Sequence, residues 1–162
     1  MYGGIYGYRG VLNNPYDEVA RAKPSVFSED FSLDYFTGLV ESSRKPKRSA
    51  KAFLATEQRI PGLGNGVCQD ILFNAGISPK RDIAALSPAE IEALYTAVRE
   101  TLSDMTRQGG RDTERDLFGN PGCYRTLMSK NSYIYPCPRC GGGILKETYM
   151  GGSVYYCPTC QR

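Results

Sequence analysis

The chain has 162 residues and carries 20 Lys and Arg against 17 Asp and Glu, a net charge of +3. That surplus is too small to mark a nucleic-acid binder by itself, while a 41% hydrophobic content suffices for one ordinary domain plus a small satellite. The absence of histidine excludes every zinc site with a histidine ligand and any histidine general base. No apolar run approaches the ~18 residues of a membrane helix, so no membrane partner is expected.

In chain order, residues 1–12 are rich in Tyr and Gly, lack helical periodicity and read as one strand. A single strand is not stable alone in water, so it reads as the last piece of a sheet whose other strands are missing. Pro15 suits the first position of a short helix, Tyr16–Ala22, and Ser25–Asp30 reads as a loop. Over residues 32–42, Leu33, Phe36, Leu39 and Val40 share one helical face. The stretch Ser43–Lys51 holds five positive charges and no acid, which suits either a solvated linker or a strip facing phosphates. A helix is expected over Ser49–Gln58, then a tight turn, Ile60-Pro61-Gly62-Leu63-Gly64-Asn65-Gly66. A second helix runs through Val67, Ile71, Leu72 and Phe73 and stops at Gly76.

The clearest helix opens with Ser87-Pro88-Ala89-Glu90, an N-cap, a proline at N1 and a capping-box glutamate. Its apolar face is Ile91, Leu94, Tyr95, Val98, Leu102 and Met105, and Gly109-Gly110 ends it. Residues 111–136 read as polar and loop-rich. Ile144–Met150 and Ser153–Tyr156 flank Gly151-Gly152, which predicts a β-hairpin with a two-glycine turn. The expected fold is mainly α: four to six helices followed by a small hairpin.

Chemistry concentrates at the C-terminus. Cys137-Pro-Arg-Cys140 and Cys157-Pro-Thr-Cys160 have the spacing with which two turns clasp one Zn²⁺ in a closed, structural four-cysteine site. The alternatives at this spacing are two disulfides or a redox-active dithiol, and the latter wants a helix N-terminus rather than a hairpin. Cys68 and Cys123 read as free thiols. The Gly64-Asn65-Gly66 turn is a second candidate: backbone N–H groups at a helix start, with the helix dipole, make a phosphate site, to which Asn65 adds a side-chain donor and Arg48 and Lys51 add charge. The alternative is a plain turn whose glycines serve geometry. The long loop 110–125 is a third candidate, against a simple connection to the metal module. No carboxylate pair has a spacing diagnostic of acid/base catalysis.

Ala52–Pro79, with its Pro61-Gly62-Leu63-Gly64-Asn65-Gly66 turn, resembles the helix–two-turn–helix segment of the formamidopyrimidine-DNA glycosylase/endonuclease VIII family. Gly109-Gly110 and Asn120-Pro121-Gly122 fit the next stretch of that family, and the two Cys-Pro-x-Cys pairs fit its closing zinc finger. The resemblance implies a remnant strand over residues 1–14, a helical DNA-binding domain over 15–130 and a four-cysteine zinc finger over 131–162. It implies a base-excision-repair DNA-binding module: one structural Zn²⁺, and duplex DNA with a damaged base or abasic site as partner. Asn65 matches the family asparagine that contacts phosphate beside the lesion. The 110–124 loop resembles the segment that covers a flipped-out base, which makes Phe118, Asn120 and Tyr124 lesion-loop candidates. Where relatives carry a hairpin arginine, this sequence has Gly151-Gly152. The family's catalytic proline and glutamate have no counterpart here, so no catalytic residue is assigned and the chain alone is expected to be inactive. The other readings are a piece of an active glycosylase/AP lyase whose proline lies in a missing catalytic domain, and a degenerate paralogue that does not bind DNA. The expected compartment is the cytoplasm, with nucleoid association when DNA-bound.

Overall fold

The computed structural model describes Arg9 and residues 14–162. The strand expected over residues 1–12 therefore lies, Arg9 apart, outside the described residues. The rest is mainly helical. Five α-helices, α1 (Pro15–Arg21), α2 (Leu33–Ser42), α3 (Ala50–Ala55), α4 (Asn65–Ala75) and α5 (Pro88–Arg107), precede an antiparallel hairpin of β1 (Leu145–Tyr149) and β2 (Gly152–Tyr156). A 3-10 turn, Ile83–Ala85, leads into α5. Its Asp82 side chain accepts from the Ala84 N–H, a local signal that hydrophobic periodicity does not reveal.

Helix starts follow local chemistry. Ser32, Ser49 and Ser87 each cap the helix they precede, and Ser87 and Glu90 complete a reciprocal capping box. Helix α3 is shorter than expected, ending at Ala55 rather than Gln58. Glu57 and Gln58 adopt left-handed backbone angles (φ 57° and 43°), and the buried Arg59 guanidinium turns back to donate to the carbonyls of Ala52 and Thr56, each at 3.2 Å. A side chain from beyond the helix thus adds donors at its C-terminal end, where the backbone ladder stops. Helix α4 stops as expected, with Gly76 at φ 72° returning hydrogen bonds to Leu72 and Phe73.

The hairpin turn also differs from expectation. Tyr149 pairs with Gly152, so the two-residue loop is Met150-Gly151 (φ 54° and 72°) and Gly152 belongs to β2. Positive φ at both central residues matches the right-handed twist of the strands.

Two apolar clusters result. The larger joins Phe36 and Val40 of α2, Phe53 and Leu54 of α3, Ile71 and Leu72 of α4, and Leu94 and Val98 of α5 around Phe31, Ile60 and Ile83. The smaller joins Phe73 to Met128, Ile144, Tyr155, Cys137 and Cys157. Helix α4 contributes to both, with Ile71 and Leu72 facing the helical core and Phe73 facing the finger.

Polar groups on α4 fasten its neighbours. Gln69 Oε1 accepts the Tyr155 N–H (2.6 Å), and Asp70, fully buried, accepts the N–H groups of Leu127 (3.0 Å) and Met128 (2.7 Å). Gln161 donates to the Ile77 carbonyl while accepting the Cys157 N–H, and Arg162 and Gly76 share a backbone bond. The hairpin is therefore docked on the helix that follows the glycine-rich turn. No helix among the described residues is long and apolar enough to cross a membrane.

Candidate nucleic-acid interface and metal centre

The Sγ atoms of Cys137, Cys140, Cys157 and Cys160 all lie within 4.8 Å of one another. Two cross-pair separations, 3.9 Å for Cys137–Cys160 and 3.5 Å for Cys140–Cys157, straddle the ~3.8 Å edge of a tetrahedron with Zn–S bonds of ~2.3 Å. The donor set therefore fits one Zn²⁺ with no open position, a closed structural site. Gly141, at φ 74°, turns the chain so that its N–H reaches the Cys137 carbonyl and the Gly142 carbonyl receives the Cys137 N–H. Cys68 lies buried in α4, where burial pushes its thiol up to about 12.

The second centre is the start of α4. Its N-cap, Gly64, has no side chain to offer, and its first turn contains no acid. Cys68 N–H is the first to find an intrahelical carbonyl, at Gly64 (3.2 Å), so the N–H groups of Asn65, Gly66 and Val67 precede the helical ladder at the positive end of the dipole. Asn65, the first helical residue, keeps a buried Oδ1 without a hydrogen-bond partner among the described residues. A cavity of about 210 Å³ brings Asn65 together with Lys51, Thr56, Met150, Gly151 and Gly152. A Cβ on Gly152 would stand 3.5 Å from Asn65 Nδ2 and 4.0 Å from Lys51 Nζ, so the hairpin passes directly over the helix start.

The expected cations differ in availability. Lys51 is 3% exposed and donates to the Tyr149 carbonyl at 2.6 Å, with the Tyr149 ring beneath it; burial lowers its pKa. It ties α3 to the hairpin and still borders the Asn65 cavity. Arg48 faces its own loop, reaching the carbonyls of Ser43, Lys45 and Pro46 and the carboxylate of Glu57.

The 110–124 loop leaves and returns beside α4. Asp112 N–H donates to Tyr124 O (2.8 Å) and Tyr124 N–H to Gly110 O (3.0 Å). Tyr124 is buried, and its hydroxyl pKa is pushed well up by burial and by neighbouring Asp70, to which it hydrogen-bonds; it anchors the loop's base. At the tip, Asp116 Oδ1 accepts the N–H groups of Phe118 (2.9 Å) and Asn120 (2.8 Å), and its Oδ2 accepts from the Asn120 side chain. This knot holds Phe118 almost fully in solvent, 89% exposed.

Residues that local sequence reading missed complete the centre. Asn65, Gly66 and Gln69 share a groove of about 330 Å³ with Arg111, Thr113, Glu114, Ser129, Lys130 and Ser153. Arg111 and Glu114 lie 45 or more positions from Gly66 in sequence, and only the fold brings them there.

A family model described as the formamidopyrimidine-DNA glycosylase H2TH domain matches residues 23–116. The chain belongs to that family. It is 33% identical over 165 residues to the formamidopyrimidine-DNA glycosylase of Thermus thermophilus, covering 94% of this chain and 59% of that protein. It is 38% identical over 128 residues to the enzyme of the same name from Pelotomaculum thermopropionicum, covering 76% and 46%. The crystal structure of the MutM (Fpg) protein from Thermus thermophilus superposes with a TM-score of 0.74 at 32% identity, over 85% of this chain and 53% of that one. Lactococcus lactis Fpg in complex with abasic-site DNA gives a TM-score of 0.77 at 27% identity, over 91% and 54%. The chain thus spans about half the length of the curated relatives it matches.

Proposed function

We propose that this chain is the DNA-gripping half of a base-excision-repair glycosylase, holding damaged or abasic duplex DNA through its phosphates with one structural Zn²⁺ fixing the finger. The observation that carries this reading is the start of α4: N–H groups with no side-chain cap and no acid in the first turn, with Asn65 lining the cavity under the hairpin beside Lys51. A phosphate there receives fixed donors and the positive end of the helix dipole. The solved Lactococcus lactis complex carries abasic-site DNA on the same fold, which supports the same ligand class here. Such contacts fix position and supply affinity but little sequence preference, so binding weakens steeply with salt. Phe118, held clear of the protein, is proposed to face the lesion. The zinc contributes no chemistry; it keeps the finger on Gln69 and Ile77, and so the hairpin over Asn65.

The test is fluorescence anisotropy with a tetrahydrofuran-containing duplex at low salt. Asn65→Ala is expected to weaken binding across all sequences, and an unchanged affinity would refute the phosphate role. A degenerate paralogue predicts no retention by the unmodified chain.

A second reading, that the natural protein is an active glycosylase/AP lyase, is favoured by the coverage of little more than half of its relatives. Borohydride trapping on abasic DNA separates the two. The binding-only reading expects no covalent adduct with these 162 residues, and a trapped adduct contradicts it.

A further inference from the structure

The ion pair beside Gly66 is built asymmetrically. Gly109 and Gly110 (φ 69° and 102°) turn the chain at the end of α5 and deliver Arg111 to the start of α4. Its guanidinium lies flat on Gly66: a Cβ built there would meet Arg111 Cζ at 2.7 Å, Nη2 at 2.5 Å and Nη1 closer still. A cation laid on the positive end of a helix is unfavourable unless an anion joins it. Glu114 supplies one, with two-point contact: Nη2–Oε1 at 2.5 Å and Nε–Oε2 at 3.3 Å. The Arg111 side chain is 12% exposed, whereas that of Glu114 is 59% exposed. The arginine is fixed and the carboxylate is free to leave.

We propose that Glu114 is a resident stand-in for DNA phosphate: it occupies the Arg111 guanidinium in the free chain, and phosphate displaces it, turning Arg111 into a DNA-contacting cation. This rests on the phosphate reading of the α4 start and adds both a second cation and a built-in competitor to it. A phosphodiester matches the guanidinium fork as a carboxylate does, and it brings oxygens that also reach the N–H groups of α4. A guanidinium with little access to water disfavours an empty fork, so one anion replaces another. Lys130, exposed on the same groove, has the position to follow the backbone onward. Displaced Glu114 stays within reach of the incoming phosphate and opposes it, which holds affinity down until DNA is engaged at several points.

The experiment measures anisotropy of the zinc-loaded chain on a tetrahydrofuran duplex across a salt series, with Asn65→Ala alongside. Glu114→Gln is expected to raise affinity about three- to tenfold at low salt, by removing one like charge near the phosphate. Arg111→Ala is expected to lower affinity at least tenfold and to flatten the slope of log K against log salt by about 0.9, one phosphate contact. Arg111→Lys keeps the charge but loses the fork, so affinity falls several-fold while the slope is retained. Thermal melts and zinc content identify any variant that fails to fold, and Glu114→Gln keeps the test alive if Arg111→Ala does. If Glu114→Gln binds no better than the unmodified chain, the pair is only a loop staple and the proposal is overturned, even with Asn65→Ala still weakening binding. If Asn65→Ala changes nothing, the phosphate reading fails and this inference fails with it.

Discussion

Gly66→Ala separates folding from binding at one atom. Gly66 is the second residue of α4 and has no positive φ, so alanine is conformationally welcome. Replacing glycine by alanine inside a helix is worth roughly 0.5–1 kcal/mol of stability in the variant's favour. The added methyl, however, lies 2.7 Å from Arg111 Cζ, and relief to an ordinary contact of about 4 Å requires the guanidinium to retreat by more than about 1 Å. The neighbour is a side-chain end rather than backbone, so the fold accommodates the shift by moving Arg111 off the helix start. Thermal unfolding of Gly66→Ala is therefore expected at or slightly above the unmodified midpoint. Its affinity for tetrahydrofuran duplex should fall about tenfold, approaching that of Arg111→Ala, and the double variant should add little to either single. A Gly66→Ala chain that binds duplex as tightly as the unmodified one would refute the placement of Arg111 in the DNA site.

Other perturbations follow from the same geometry. Chelating zinc should release the hairpin and the smaller apolar cluster, because a two-stranded hairpin is at best marginally stable alone, while circular dichroism still reports the helices packed by α2, α4 and α5. Coincident loss of both clusters would show that the finger is integral to the helical core. In Asp70→Asn, the amide faces two N–H groups with one oxygen, and the unsatisfied donor costs about 1–3 kcal/mol. Burial raises the Asp70 pKa, so its stabilising contribution is full below ~3.9 and declines as pH rises through the folded value. Denaturant melts should show the Asp70→Asn penalty as a lowered midpoint. Glu90 has the opposite sign. Hydrogen bonds from the Ser87 N–H and hydroxyl lower its pKa, so its capping contribution is present above ~4.3 and lost as pH falls through the folded value. Glu90→Gln keeps the acceptor and loses only the charge, so it should cost about 0.5 kcal/mol or less near neutrality and little in acid.

The parts of the fold set by near neighbours in sequence were legible. The capping box at Ser87 and Glu90, the stop at Gly76 and the two Cys-Pro-x-Cys turns each act within a few residues, and each stands where it was expected. The early end of α3 was not legible, because it depends on Arg59 folding back over carbonyls that a helical pattern would have continued past. The hairpin turn moved by one residue because the ladder pairs Tyr149 with Gly152, which the adjacent glycines conceal. At the proposed site, Asn65 stands out in the sequence through its turn. Gln69, Asp70, Arg111 and Glu114 are ordinary polar residues until the fold joins segments far apart in the chain. Lys51 shows the converse: its place in a basic run suggested a free phosphate contact, whereas the fold also makes it a tie to the hairpin.

The central claim, that a phosphate rests on the start of α4, is tested most directly by following backbone amide resonances of the zinc-loaded chain during titration with tetrahydrofuran duplex. The largest shifts are expected at the N–H groups of Asn65, Gly66 and Val67, with smaller ones at Arg111 and Lys130, all fading as salt rises. Unmoved amides at residues 65–67 under saturating duplex, with shifts confined to α5 or to the outer face of the finger, would contradict it.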